Sequence, residues 1–180
     1  LGHVGTSLVE MLAEAGAELV LTDLDMDQTE ALAKKVNGKA IGPDEVFKIE
    51  GDVFSPAALG GVINNSSLEN FGYHIVASSA NNQLEDEMLH GEILKRKGIL
   101  YAPDYVINAG GLINVWNELR GYNQLKVEKE VQNIYSTVKE IFAISKAEDI
   151  PTNLASNRLA ERRIHQLSNL THFHLPDRRR

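Results

Sequence analysis

Apolar positions in this chain switch repeatedly between the three-and-four spacing of helices and the short unbroken runs of buried strands. Over residues 4–15, Leu8, Met11, Leu12 and Ala15 recur at i, i+3, i+4 and i+7, which predicts a helix with that face inward. Gly16 is its stop. Residues 18–22 carry an apolar run suited to a buried parallel strand. A second helix is expected over 25–36, with Asp23, Asp25 and Asp27 supplying carboxylates near its start. Residues 39–41 read as a strand and 43–47 as a helical turn, Pro43 taking a permitted first position. Residues 51–54 form the next strand, followed by a short helix running into Ile63. Residues 74–78 are a strand whose exit is 79–84, and 85–96 a helix closed by Gly98. Residues 99–102 and 105–107 are expected to be extended around Pro103, and 108–111 to turn the chain into another helix.

Strands alternating with helices predict a parallel sheet covered on both faces, with right-handed crossovers. The expected fold is therefore α/β, a Rossmann-type doubly wound sheet. Its first strand is expected to lie outside the sequence. Beyond Gly121 the pattern changes: Val127, Val131, Ile134, Val138, Ile141 and Ser145 mark one long amphipathic helix. Residues 149–152 break it, and 153–167 form a further helix. That stripe must cover the sheet, a missing domain or another subunit. With no repeat and no linker, residues 1–167 read as one domain and 168–180 as a tail without an assigned role.

Composition narrows the function classes. The 180 residues are 43% hydrophobic and 24% charged, an ordinary globular balance. A net charge of −7 leaves no basic face for nucleic acid, and the run Arg178 to Arg180 reads as a solvated tail. No apolar stretch approaches the roughly 20 residues of a membrane span. Without cysteine there is no disulfide, thiolate metal site or cysteine nucleophile, which is compatible with a cytoplasmic protein. The chain starts at Leu1 rather than Met and is expected to be a fragment.

The candidate chemistry begins at Leu1-Gly2-His3-Val4-Gly5. Gly2 and Gly5 match the second and third glycines of G-x-G-x-x-G, and Asp23 follows at roughly the 20-residue spacing expected of a ribose-binding acid. Glycine turn, helix, strand and acid in that order predict a dinucleotide, its pyrophosphate over the helix N-terminus and its adenosine ribose on Asp23. The competing readings are a plain tight turn and a helix-starting carboxylate, with Asp25 the second choice of acid. A carboxylate at Asp23 repels a 2′-phosphate, so NAD is expected over NADP. In an open α/β sheet, ligands bind beyond the carboxyl ends of the strands, which adds Ala80-Asn81-Asn82 and Asn108-Ala109-Gly110-Gly111. An amide that both donates and accepts suits a carboxamide or a ribose hydroxyl, although Asn and Gly are also ordinary turn residues. His3, His74 and His90 read as structural, and no histidine has metal-ligand spacing, so no metal is expected. Ser78 and Ser79 lack a nucleophile-elbow context, and the lysines fall on predicted helix surfaces.

Residues 52–60, 79–84 and, most specifically, the fifteen-residue stretch Tyr101-Ala-Pro-Asp-Tyr-Val-Ile-Asn-Ala-Gly-Gly-Leu-Ile-Asn-Val115 resemble the cofactor domain of the Glu/Leu/Phe/Val amino-acid dehydrogenases, most of all the leucine-acting branch. The resemblance reaches to about Leu167. It implies reversible NAD-dependent oxidative deamination of an apolar L-amino acid, leucine first among the branched-chain substrates, to its 2-oxo acid and ammonia. It implies that Leu1 to Gly5 hold the pyrophosphate and Asp23 the ribose. Ala80 and Asn81 would lie along the nicotinamide half, with Asn82 between ring and substrate and Asn108 at the nicotinamide end. Leu112 and Val115 would line the substrate's side-chain pocket. The catalytic lysines and aspartate of the family belong to an N-terminal domain, so no catalytic residue is expected here and the fragment alone is expected to be inactive. The resemblance also leans towards a homo-oligomer. Ser78 stands where the family commonly has glycine, and Trp116 where a smaller residue is expected. Phenylalanine, valine or glutamate as substrate, and a noncatalytic NAD-binding or interaction module, remain the alternatives.

Overall fold

The computed structural model describes the backbone of residues 1–171 and side chains to residue 168. The glycine turn enters α1 (His3–Glu14), which ends where Gly16, at φ +84°, lets Ala17 N–H reach back to the Leu12 carbonyl. β1 (Val20–Leu21) follows, then α2 (Met26–Lys35), whose N-cap Asp25 accepts a hydrogen bond from Gln28 N–H at 3.0 Å. β2 (Lys39–Ala40) runs parallel to β1, and a 3₁₀ turn over Pro43–Lys48 leads to β3 (Glu50–Phe54). A short α3 (Asn65–Glu69), β4 (Gly72–Ala77), α4 (Glu87–Arg96) and β5 (Leu100–Ala102) complete the α/β part. α5 (Asp104–Ile107), α6 (Gly110–Glu118), α7 (Gln124–Glu148) and α8 (Thr152–Thr171) finish the described chain.

All strand pairs are parallel and flanked by helices, as the alternation of elements predicts. They form two ladders, β1–β2 and β3–β4–β5, rather than one sheet. In a doubly wound strand order the break between β1 and β3 falls at the position of the first strand. The larger core, built from Phe54, Ile63, Leu68, Tyr73, Val76, Leu84, Leu94, Ile99 and Tyr101, lies around β3–β5. A smaller cluster of Val9, Leu21, Leu32 and Ala33 joins α1 and α2 to β1.

Three expectations are corrected. The inward face of α1 is Gly5 and Val9, while Met11, Leu12 and Ala15 are exposed and Leu8 is half-buried. Gly5 faces Ala57, where a Cβ would stand 3.3 Å from that methyl, so the small residue decides which face lies inward. The short helix expected before Ile63 forms after it instead. Gly61 at φ +75° breaks the earlier segment, and Asn64 and Ser67 cap each other reciprocally to start α3. Residues 105–107 are helical rather than extended. Pro103 sits just outside α5, and its carbonyl accepts from Val106 and Ile107 N–H.

The stripe of α7 covers helices of this chain: Val127, Ile141 and Ile144 are buried, and α7 packs on α5, α6 and α8. Asp149 closes it in the left-handed region, and Pro151 precedes α8. α8 runs past Leu167, while His172, His174 and Arg178 to Arg180 lie outside the described residues. No helix among the described residues is long and apolar enough to cross a membrane.

Candidate cofactor site

At the head of the chain Gly2 is the N-cap of α1, without a side-chain cap and without an acid in the first turn. Its free backbone N–H groups and the helix dipole therefore face outward at a twelve-residue helix, which favours an anion. A Cβ on Gly2 would meet nothing within 4 Å among the described residues, so the space in front of the turn is open to them. His3 and Val4 are exposed and Gly5 is packed inward. Asp23 lies two residues past the end of β1, beside the backbone nitrogen of Leu1, and its Oδ1 accepts Asp25 N–H at 3.2 Å. Gln28 Nε2 also reaches the Leu1 carbonyl, at 3.2 Å. The fold thus brings the glycine turn and the acid together, as their spacing predicts.

The second half of the site lies beyond the carboxyl ends of β4 and β5. Asn108 Nδ2 donates to Asn81 Oδ1, joining the two asparagine segments directly. Asn81 and Asn82 are exposed, Ala80 and Asn108 half-buried. Asn82 has φ +55°, a left-handed conformation that asparagine tolerates better than most residues. Its carbonyl accepts Gly61 N–H at 2.8 Å, and a Cβ on Gly60 would come within 2.7 Å of the same oxygen. Glycine at 60 is therefore what allows that approach. Ser78, which stands where the family commonly has glycine, turns inward. It is 2% exposed, its single hydroxyl proton is shared between the Pro56 and Ala80 carbonyls, each 2.8 Å away, and its oxygen accepts Ala80 N–H. The extra hydroxyl ties down the strand exit.

Leu112 and Val115 lie on the outer face of α6, 75% and 53% exposed, together with Trp116. Arg120 lies over the Trp116 ring at 5.1 Å, which holds the large indole against its own helix. Three residues that the sequence pattern did not single out complete the site: Gly60, Gln83 and Asp104. Gln83 and Asp104 are buried and polar, and Asp104 Oδ2 accepts Gln83 N–H at 2.9 Å and the Tyr101 hydroxyl at 3.1 Å. Burial raises the Tyr101 phenol well above its ordinary pKa of about 10, so it stays a donor. The spacing Tyr-x-x-Asp directly before a helix was the available signal.

A shallow groove of about 650 Å³ lies at the amino ends of β3–β5, lined by Glu50, Asp52, Tyr73, His74 and Lys97. It is at the opposite end of the strands from the asparagines and plays no part in the site. No cluster of three His, Cys, Asp or Glu able to hold a metal occurs among the described residues.

Known proteins match this arrangement. The glutamate/leucine/phenylalanine/valine dehydrogenase family model covers residues 11–170. Leucine dehydrogenase of Thermoactinomyces intermedius is 42% identical over 178 residues, 99% of this chain and 48% of that protein. L-tryptophan dehydrogenase of Nostoc punctiforme is 47% identical over 164 residues, 91% of this chain and 46% of that protein. The crystal structure of L-tryptophan dehydrogenase from Nostoc punctiforme superposes with a TM-score of 0.91 at 44% identity, covering 94% of this chain and 51% of that one. The chain spans about half the length of the curated relatives it matches. With the family model reaching across most of its length and the same fold in a solved relative, the chain belongs to the glutamate/leucine/phenylalanine/valine dehydrogenase family.

Proposed function

We propose that residues 1–167 are the cofactor domain of an NAD-dependent amino-acid dehydrogenase, with residues 168–180 a tail. The whole protein would oxidatively deaminate an apolar L-amino acid to its 2-oxo acid and ammonia as a cytoplasmic homo-oligomer. The observation that carries this reading is the Asn108–Asn81 link, which brings two amide-bearing strand exits together at the ligand end of a parallel ladder. When bound, NAD would accept the hydride from the substrate Cα. The chain's own work is binding and orientation. Leu1 to Gly5 would hold the pyrophosphate with the N–H groups that open α1. Asp23 would accept from the ribose hydroxyls and repel a 2′-phosphate. Ala80, Asn81 and Asn108 would position the nicotinamide, Asn82 would stand between ring and substrate, and Leu112 and Val115 would help bury the substrate's side chain.

Leucine is the first choice of substrate, since branched aliphatics are selected by burial at about 1–3 kcal/mol per methylene. An aromatic amino acid is the second reading, favoured by the 47% identity to an L-tryptophan dehydrogenase. The test is NAD titration and turnover by the intact parent protein on leucine, tryptophan, phenylalanine and glutamate. Saturable NAD binding and fastest turnover of leucine are expected. Turnover confined to glutamate would defeat the apolar assignment, and absence of NAD binding the whole reading. Asp23→Ala should weaken NAD about tenfold, the worth of a charge-assisted hydrogen bond, and narrow the preference over NADP.

A further inference from the structure

We infer that Asp104 is a positioning residue for the nicotinamide end of the site, fixing Asn81, Asn82 and Asn108 without touching the cofactor itself. Its consequence for binding rests on the cofactor reading above; its geometry does not. Asp104 is 4% exposed, and no cation pairs with it among the described residues. A carboxylate so placed must be held by neutral donors, because an unpartnered buried charge is costly. Both donors reach Oδ2: the Tyr101 hydroxyl from the middle of β5, and the backbone N–H of Gln83.

Those bonds close a ring. Gln83, itself 0% exposed, donates Nε2 to the Asn81 carbonyl at 2.9 Å. Asn81 Oδ1 accepts from Asn108 Nδ2, and Asn108 N–H returns to the Asp104 carbonyl at 2.9 Å. The Asp104 side chain thus grips the 81–83 loop, which in turn holds Asn108 through Asn81, while the backbone bond that ends α5 closes the ring. The Gln83 amide it holds follows Asn82, the residue in the left-handed region, so the bond also maintains that conformation. A carboxylate serving α5 alone would face solvent at the helix start. This one is turned away from α5, a helix of four residues, and into the loop.

The test uses the full-length parent protein. In Asp104→Ala, hydrogen exchange at residues 81–83 should rise at least tenfold and NAD binding should weaken at least tenfold, with exchange in α2 unchanged. Asp104→Asn keeps an oxygen that accepts both bonds and should recover most of both losses. In an Asn81→Ala background, Asp104→Ala should weaken NAD by less than a further twofold, because the two act through one ring. If Asp104→Ala does not fold, Tyr101→Phe removes one of the two bonds and should give the same pattern at smaller amplitude. NAD losses that multiply between Asp104 and Asn81, or exchange at 81–83 that does not move while the parent binds NAD, would overturn this role alone. A parent protein that takes up no NAD would sink the cofactor reading and this role together.

Discussion

The β1–β2 and β3–β5 regions share an architecture, a short parallel ladder under helices, but are held by different means. The hydrophobic cluster around β1–β2 has four buried members, while Val4, Met11 and Val20 are 66%, 67% and 47% exposed. The cluster around β3–β5 has nine buried members, and Phe54, Phe71 and Tyr73 pack edge-on or tilted with centroids 5.1–5.5 Å apart. The polar ring of Gln83, Asp104, Asn81 and Asn108 stands on that second region. The glycine turn and Asp23 stand on the first. One end of the candidate site is therefore built by packing and internal hydrogen bonds, the other by backbone groups left open. A site can draw its rigidity unequally from its two halves, and the open half is the one suited to gripping charge.

The same deletion in each region tests this contrast most strongly. Leu94→Ala, at a side chain 1% exposed, should cost about 4 kcal/mol in chemical denaturation of the 180-residue chain, and Leu32→Ala, 8% exposed in the smaller cluster, about 2–3 kcal/mol. Equal losses would show that the β1–β2 region is as tightly packed as its neighbour. Gly60→Ala follows: a Cβ 2.7 Å from the Asn82 carbonyl must displace the loop, at about 1–3 kcal/mol and with weaker NAD binding in the parent protein. An unchanged melting curve and affinity would mean that the loop yields freely.

Tyr101→Phe comes next, at about 1 kcal/mol near neutral pH for the lost hydrogen bond to Asp104. Its folded-state pKa is raised by burial, so the tyrosine contributes stability that is fully present below about pH 10 and is lost as pH rises above it. Alkaline titration of the unfolding midpoint should therefore slope less steeply in Tyr101→Phe, and identical slopes would contradict the burial argument. The smallest effect compares caps. Asp25→Ala and Asn64→Ala, which cap α2 and α3, should each cost about 1 kcal/mol, Asn64 more because its cap is reciprocal with Ser67. Circular dichroism of both variants during thermal unfolding would check the order.

Chain order, helix stops and all but one of the strand positions were legible by themselves. Gly16 and Gly98 end helices at positive φ, Asp25 caps α2, and β4 lies where an unbroken apolar run placed it. These signals act within a few residues through backbone conformation and local hydrogen bonds, so no distant partner is needed to read them. Tertiary structure decided what depends on neighbours far along the chain. Gly5 and Val9 form the inner face of α1, Gly5 against Ala57, although Leu8, Met11 and Leu12 carry the stronger helical pattern. Asp104 stands between two runs that read as extended, and it becomes a buried hub because Gln83 and Tyr101 present donors to it. Burial and polar pairing are properties of the packed surroundings, and those exist once segments remote in sequence have met.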